Sequence, residues 1–175
     1  MSLRIVGLER HHDRADFDCG DTALNTYLQR LAMQQAQRDF SRTYVAESSS
    51  SDGDEATRRI KGFYAISSGS IDFKNLPAAL KLPRYPVPVA RMGRLAVDLR
   101  AQGQGVGAAL LAHAMQLSAT LAQQIGVYAL VVDAKHEAAA AFYARYGFQR
   151  FVDRDLSLFL TTDVIRRAIA VPAAR

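Results

Sequence analysis

The chain has 175 residues, of which 49% are hydrophobic and 22% charged, with a formal net charge of +5. These values predict one ordinary globular domain, spanning 1–175, that is large enough to bury its own core. No apolar stretch approaches the roughly 18 residues of a membrane-spanning helix, and the first residues show no signal-peptide pattern. The single cysteine, Cys19, excludes an internal disulfide and favours a reducing cytoplasm.

Arginine dominates the positive charge, because 18 of the 22 basic residues are arginine. The planar guanidinium group binds phosphate in a bidentate manner, so this excess favours an acidic partner such as nucleic acid. A site for a phosphorylated small molecule, or the codon usage of a GC-rich genome, would account for the same composition. Charge alone leaves these alternatives open.

The N-terminal residues predict a strand followed by a polar segment. The strand covers 3–8, and His11 and His12 follow it. Because adjacent side chains point apart and no further histidine or cysteine has ligand spacing, we expect surface histidines here and no metal.

The next element is an amphipathic helix, capped by Asp21 or Thr22 and running to about Arg38. Arg30 and Arg38 lie off its apolar face, either on a solvated surface or on the basic edge of a substrate groove. The apolar positions follow i, i+3, i+4, i+7, i+8 spacing: Leu24, Tyr27, Leu28, Leu31 and Ala32.

Two predicted strands, 42–47 and 59–67, flank a serine-rich and acidic segment. Residues 48–57 of that segment are expected to form a mobile hairpin loop. Residues 74–88 contain four prolines and predict a long connection with little regular structure. Long loops inside compact domains tend to carry function, so this connection is a candidate wall of an acceptor site.

A strand, a glycine turn and a helix follow one another in residues 91–111. Leu95 and Val97 are apolar strand residues, and Asp98 ends the strand. Glycines let the backbone approach a ligand closely, and the N–H groups of the first helical turn attract an anion. This order therefore predicts a phosphate-binding loop. Its three glycines are Gly103, Gly105 and Gly107.

Two common phosphate-binding motifs do not fit this turn. The Rossmann pattern G-x-G-x-x-G fails at its third glycine, and the Gly-Lys-Ser/Thr of a P-loop is absent. A purely structural turn remains an alternative. The pattern that fits is Gln102-x-x-Gly105-x-Gly107, followed by two alanines and two leucines.

The last third of the chain predicts a buried strand at 127–132 and a helix at 137–146, which Gly147 ends. The apolar face of this helix contains Ala139, Phe142, Tyr143 and Tyr146. The remaining predicted elements are a hairpin of 148–152 and 156–161, a helix at 163–170 and a frayed tail at 171–175.

The glycine turn resembles the acetyl-CoA pyrophosphate loop of the GNAT N-acetyltransferase superfamily. The run Ala141-Phe-Tyr-Ala-Arg-Tyr-Gly-Phe148 is similar to the late helix of that superfamily and its closing Tyr…Gly-Phe. The resemblance covers about 59–160. It implies an α/β (α+β) GNAT fold, in which a single domain has a central mixed, mostly antiparallel, splayed sheet flanked by helices.

Further motifs are similar to one branch of that superfamily, the toxins of bacterial type II toxin–antitoxin pairs. These toxins acetylate the α-amine of aminoacyl-tRNA, which blocks translation, and a ribbon-helix-helix antitoxin restrains them. The resemblance implies acetyl-CoA as cosubstrate, no metal, aminoacyl-tRNA as acceptor, that antitoxin as partner and no membrane; it leaves a homodimer open. The motifs lie at 17–28, 41–45, 62–65, 93–98, 132–134 and 142–143.

The resemblance also implies roles for individual residues. Tyr143 occupies the tyrosine of the Phe-Tyr-x-x-x-Gly-Phe motif and is the candidate general acid, expected to protonate the departing thiolate readily; a core aromatic is the alternative. His136 stands where many members have an asparagine that contacts CoA, which puts that contact in doubt. The RNA-binding candidates are Arg30, Arg38, Arg91 and Arg94. The cofactor-binding candidates are Leu95, Ala96, Val97, Gln102, Gly103, Gln104, Gly105, Val106, Gly107, Ala108 and His136.

No carboxylate clearly suits the role of general base, since Asp98 and Asp133 end strands and Glu47 lies away from the motifs. A lysine acceptor, with a pKa near 10.4, needs such a base. An α-amine, with a pKa of about 7.7–8.0 that esterification lowers further, does not. This favours aminoacyl-tRNA. The alternatives are an acetyltransferase for a small amine or a protein N-terminus or lysine, and a CoA-binding domain without catalysis.

Overall fold

The computed structural model describes residues 3–48 and 59–170. The predicted tail 171–175, and the predicted loop 48–57 apart from Ser48, lie outside the described residues. The strands are β1 (Leu3–Gly7), β2 (Arg42–Ser48), β3 (Gly62–Ile71), β4 (Val87–Val97), β5 (Ala129–Asp133), β6 (Gln149–Arg150) and β7 (Ser157–Thr161). The helices are α1 (Thr22–Thr26), α2 (Ala32–Gln37), α3 (Val106–Leu121), α4 (Glu137–Ala144) and α5 (Thr162–Ala170).

The strands form one mixed sheet in the order β1-β2-β3-β4-β5-β7-β6. Antiparallel pairs join β1 to β2, β2 to β3, β5 to β7 and β6 to β7, whereas β4 and β5 run parallel. The parallel ladder covers Val89 to Met92 of β4, and the strand then continues to Val97. The predicted mixed and mostly antiparallel sheet is confirmed, and the end of β4 lies beyond its ladder with β5.

The start of β4 differs from the prediction. The strand begins at Val87, inside the segment predicted to be an irregular connection. The prolines of that segment argue against a strand, but Val87 and Val89 are buried and their burial favours an extended backbone. The rest of the connection contains two short 3₁₀ turns, Phe73–Asn75 and Ala78–Leu80.

The chain forms two compact units, each with its own apolar core. The first comprises the described parts of Met1–Ser67 and Arg94–Ala114, and the second those of Ser68–Gly93 and Met115–Arg175. A single domain therefore stays a prediction. The first core contains Phe17, Tyr27, Leu28, Ala32, Val45, Ile60, Phe63, Ala65 and Ala96. The second core contains Ile71, Leu76, Val87, Val89, Ala129, Val131, Phe151 and Phe159.

The predicted N-terminal helix is present but is not uniform. Asp21 caps α1, because its carboxylate accepts the backbone N–H groups of Ala23 (3.0 Å) and Leu24 (3.2 Å). A π-helical turn, Tyr27–Leu31, then separates α1 from α2. Such turns occur often at functional sites. No helix in the described ranges combines the length and apolar character needed to cross a membrane.

Gly62 on β3 allows helix α3 to pack closely in the first unit. A Cβ atom at this position would lie 2.9 Å from the carbonyl oxygen of Ala96 and from side-chain carbons of Val106 and Leu110. Real side chains do not tolerate such contacts, and the backbone oxygen cannot move aside. Glycine at this position therefore fixes the N-terminal turn of α3 against the sheet.

Candidate active site

Asp98, directly after β4, anchors the start of the glycine loop. Its carboxylate is 2% exposed. It accepts the backbone N–H groups of Asp18 (3.1 Å) and Arg100 (2.9 Å), and two guanidinium nitrogens of Arg100 (both 2.9 Å). Burial alone would raise the pKa of Asp98, but the hydrogen bonds from Arg100 and Asp18 lower it to about 2. The group is therefore an ionised anchor and a poor base.

The glycine loop has the backbone conformation that only glycine adopts easily. Gly103 has a φ angle of 77° and Gly105 one of 80°. A Cβ atom on either residue would meet no protein atom within 4 Å, so the loop is open on that side. The side chain of Gln102 donates to the carbonyl of Val97 (3.2 Å), which ties the loop to the end of β4. The side chain of Gln104 donates to the carbonyl of Arg100 (3.2 Å), in the short turn that follows the strand.

Helix α3 begins at Val106, directly after this loop. The first N–H groups of a helix have no acceptor within the helix, and they carry the positive end of its dipole. Positive φ angles, open space and a helix N-terminus fit a pyrophosphate group. The predicted phosphate-loop residues 102–108 are thus contiguous and suitably shaped in the first unit.

Leu95, Ala96 and Val97 occupy the end of β4, beyond its parallel ladder with β5. Ala96 is buried, while Leu95 and Val97 are half-buried. This placement fits the prediction that backbone groups of this segment bind a ligand rather than a neighbouring parallel strand.

Tyr143 lies on α4 in the second unit and is 4% exposed. Its ring packs against Phe142 (centroids 5.4 Å apart) and Phe148 (5.8 Å). Burial raises the pKa of Tyr143 above the ordinary phenol value, and the negative charge of Asp133 raises it further. The hydroxyl therefore stays protonated at any physiological pH.

The pKa of Tyr143 corrects the expectation that it protonates a thiolate readily. A phenol has a pKa near 10 and a thiol one near 8.5, so full proton transfer to a thiolate is already uphill by about 2 kcal/mol. The raised pKa increases this difference. Tyr143 can act only if its hydroxyl receives a proton as it donates one.

His136 is the N-cap of α4. Its Nδ1 atom accepts the backbone N–H of Ala139 at 3.1 Å, and its ring is exposed. One ring nitrogen is thus used to start the helix, and Nε2 is the atom that remains for a ligand. The predicted contact of His136 with CoA stays a prediction.

The four arginines predicted to bind RNA have different surroundings. The guanidinium of Arg94 lies 3.9 Å from the ring centroid of Tyr27, whose hydroxyl is 2.8 Å from Ser41 Oγ. Arg91, in the second unit, donates to Asp133 at 3.3 Å. Arg30, on the π-helical turn, and Arg38 are exposed in the first unit. The sequence showed Tyr27 only as a core position, because a face-on contact with Arg94 depends on residues far apart in the chain.

The three carboxylates considered as a general base are all engaged. Asp98 is bound as described above. Glu47 pairs with Arg4 and lies 3.1 Å from His12 Nε2. Asp133 accepts from Arg91 and from Ser157 (3.1 Å). None of them is positioned as a free base.

The histidine pair differs from the sequence interpretation. His12 is 3% exposed and not a surface residue, and its ring centroid lies 4.2 Å from that of His11. Ligand atoms of His11, His12 and Glu47 lie within 4.8 Å of one another. However, Arg4 already pairs with Glu47, and His12 Nδ1 accepts the backbone N–H of Glu9 at 2.9 Å. The cluster is best described as a hydrogen-bonded structural network.

A Tyr–His pair in the first unit was not anticipated. His113 Nδ1 lies 2.7 Å from the hydroxyl of Tyr64, and Tyr44 stacks on Tyr64 with centroids 5.2 Å apart. Burial lowers the pKa of His113, so its ring is neutral. The cross-strand pairing of Tyr44 with Tyr64 could have been inferred from strand register, but the contact with α3 could not.

The match to a family model gives the class of enzyme. Residues 39–150 match the family model described as "Acetyltransferase (GNAT) domain". The chain belongs to the GNAT acetyltransferase family, which confirms the predicted fold and enzyme class.

The relatives support the resemblance to the toxins of type II toxin–antitoxin pairs. A Mycobacterium tuberculosis protein named "tRNA-acetylating toxin" is 36% identical over 78% of each chain. A structure of AtaT complexed with acetyl-methionyl-tRNAfMet is 30% identical, covers 97% of this chain and 100% of that one, and has a TM-score of 0.86. A tyrosine-to-phenylalanine mutant of the AtaT toxin, bound to the C-terminus of the antitoxin AtaR and acetyl-CoA, is 28% identical, covers 97% and 99%, and has a TM-score of 0.81.

Gly105→Ala is expected to weaken acetyl-CoA binding by about tenfold, a loss of about 1.4 kcal/mol. The methyl group would occupy the open side of the loop, and a positive φ angle is strained for alanine. Isothermal titration measures the effect. Gly147→Ala is the control, because Gly147 has a φ angle of 93° in the other unit. Equal affinities of the two variants and the wild type would remove the phosphate-loop assignment.

Tyr143→Phe is expected to lower turnover by roughly 10²-fold or more while leaving acetyl-CoA binding intact. The substitution keeps the buried ring and deletes only the hydroxyl. Tyr146→Phe, at a neighbouring tyrosine that is 42% exposed, is the matched control. Steady-state kinetics of both variants test the assignment, and a near-normal rate for Tyr143→Phe would make Tyr143 a core residue.

Proposed function

We propose that this protein transfers the acetyl group of acetyl-CoA to the α-amine of aminoacyl-tRNA and thereby blocks translation as a toxin. The main support for this proposal is the similarity to the tRNA-acetylating toxin and to AtaT, whose structure contains acetyl-methionyl-tRNA. The engaged carboxylates of the site support the same acceptor.

Acetyl-CoA supplies an activated carbonyl carbon and a thiol leaving group. Residues 102–108 would hold its pyrophosphate through backbone N–H groups, as the open loop and the start of α3 suggest. Backbone N–H groups of Leu95 to Val97 would hold the thioester oxygen, where negative charge develops as the amine attacks. His136 Nε2 is a further candidate donor.

The amine of the acceptor must be neutral before it attacks, without a general base from the protein. In the reaction an N–C bond forms, the C–S bond breaks, the amine nitrogen loses a proton and the sulfur gains one. Asp98, with its pKa lowered to about 2, is too weak a base to take that proton, and Glu47 and Asp133 are held by Arg4 and Arg91. An α-amine is largely neutral near pH 8, whereas a lysine side chain is not.

Tyr143 passes the proton on without becoming a phenolate. The amine nitrogen becomes a strong acid once it bonds to the carbonyl carbon, and it releases the proton that sulfur requires. The hydroxyl of Tyr143 donates its hydrogen to sulfur as it gains one from this source, so its raised pKa is not an obstacle.

The arginines provide contacts for the RNA phosphates. Arg30 and Arg38 are exposed on the N-terminal helical segment, and Arg94 is held in place by the face of Tyr27. Arg91 would have to bind a phosphate while its guanidinium also pairs with Asp133. A ribbon-helix-helix antitoxin is the proposed protein partner, by analogy with AtaT and AtaR. A charged-tRNA acceptor is consistent with a cytoplasmic location, which is part of the proposal. A homodimer remains a proposal.

Charged tRNA is expected to be acetylated in preference to other amines. The purified protein is incubated with labelled acetyl-CoA and total charged tRNA, with deacylated tRNA, peptides and polyamines in parallel. Label should enter the charged fraction and be released by mild base, which cleaves the aminoacyl ester. The apparent affinity should fall with salt with a log–log slope of about −0.7 per phosphate contact.

Label on peptides or polyamines at comparable efficiency would contradict the proposal, as would indifference to charged tRNA at low salt. In that case the protein acetylates a small amine or a protein, which is the alternative that the sequence left open.

A further inference from the structure

The turn after α2 presents residues 38–42 on a rigid backbone. The N–H of Phe40 bonds to the carbonyl of Gln35 (2.9 Å), and the N–H of Asp39 bonds to that of Ala36 (3.2 Å). Asp39 has a φ angle of 59°. These two bonds around a left-handed residue form a Schellman motif, in which the residue that follows often makes an apolar contact with the last turn of the helix.

Phe40 is the residue that follows in this motif, and it is 64% exposed. The guanidinium of Arg38 lies 5.0 Å from its ring centroid. Arg42 is fixed on the other side of Phe40 in the chain, because it donates to the carboxylate of Asp39 (2.8 Å) and to the carbonyl of Ala36. An exposed aromatic ring thus stands on a locked turn between two arginines.

The residue after Phe40 is joined to the end of β4 within the first unit. Ser41 follows Phe40 directly, and its hydroxyl is 2.8 Å from that of Tyr27. The Tyr27 ring lies under the guanidinium of Arg94, which immediately precedes the Leu95–Val97 segment. Ser41, Tyr27 and Arg94 thus form a series of contacts from the neighbour of Phe40 to an arginine that is proposed to meet the acceptor.

We propose that Phe40 is a stacking platform for an unpaired base of the RNA acceptor, with Arg38 and Arg42 contacting the adjacent phosphates. This inference rests on the proposed function. Every base has a π-face, so stacking on an aromatic side chain supplies affinity without a sequence requirement. The charged end of tRNA is single-stranded and presents such bases next to the aminoacyl group.

The chemistry of the turn favours RNA over an apolar protein surface. An apolar partner would have to desolvate both guanidinium groups, which is costly without new partners. A nucleotide can bind all three side chains, because its phosphate pairs with a guanidinium group and its base stacks on the ring of Phe40. The formal net charge of +5 attracts the same partner.

Three substitutions at one position test the platform. Phe40→Ala and Phe40→Leu should each lower kcat/KM for charged tRNA by about tenfold or more, whereas Phe40→Trp should retain or raise it. Leucine keeps much of the apolar area but has no π-face, so it separates stacking from general apolar contact. Acetyl-CoA affinity and melting temperature should not change, because the side chain is largely exposed.

Val152→Ala is the control for loss of an exposed apolar side chain, because Val152 is 63% exposed. Full activity of Phe40→Leu would overturn the platform in favour of an apolar contact. Full activity of Phe40→Ala would overturn any role of the ring in RNA binding. If the wild type does not acetylate charged tRNA at all, the proposed function fails first; if it does, failure of the Phe40 variants to respond rejects the platform alone.

Discussion

The buried carboxylate of Asp98 is the interaction on which the geometry of the phosphate loop depends. It joins two segments that are distant in sequence, because it accepts from Asp18 and from Arg100, and Arg100 also reaches Asp16 (2.8 Å). Since its pKa is lowered to about 2, its contribution to folding is complete above about pH 4 and is lost as the pH falls toward 2. A shift of this size corresponds to about 2.5 kcal/mol. The loop that is predicted to bind a pyrophosphate is thus held by a group that no cellular pH neutralises.

The pairing of carboxylates with arginine also limits which groups of the protein can act as a general base. A carboxylate that is buried and paired with arginine is a good structural anchor, but it cannot also be a good base. Asp98, Glu47 and Asp133 are all paired with arginine, and Asp98 and Glu47 are also buried. The protein is therefore suited to an amine that is neutral on its own, and the α-amine of an aminoacyl ester has this property. In the proposed reaction, Tyr143 needs only to transmit a proton and never to hold a negative charge.

The sequence predicts the glycine turn and the late helix well, because their signals are local. Three glycines before an apolar helix, and a tyrosine at a fixed place in a short motif, specify a backbone conformation and a helix position without long-range information. The start of β4 was missed because Pro88 argues against a strand, whereas burial of Val87 and Val89 decides the matter. Burial of His12 and the contact of Arg94 with Tyr27 depend on tertiary packing, which composition and periodicity do not encode. Ordinary pKa values already make full proton transfer from Tyr143 to a thiolate uphill, and burial of Tyr143, which raises its pKa, increases the difference.

The central claim is that the acceptor amine, and not a residue of the protein, sets the ionisation that permits attack. The most direct test is the pH dependence of single-turnover acetyl transfer, measured with charged tRNAs whose amino acids have α-amines of different pKa. The account predicts one ionisation below pH 9 that moves with the pKa of the acceptor, and no loss of rate from Tyr143 up to about pH 10. An ionisation that stays at the same pH for every acceptor would show that the protein supplies a base, and it would contradict the account.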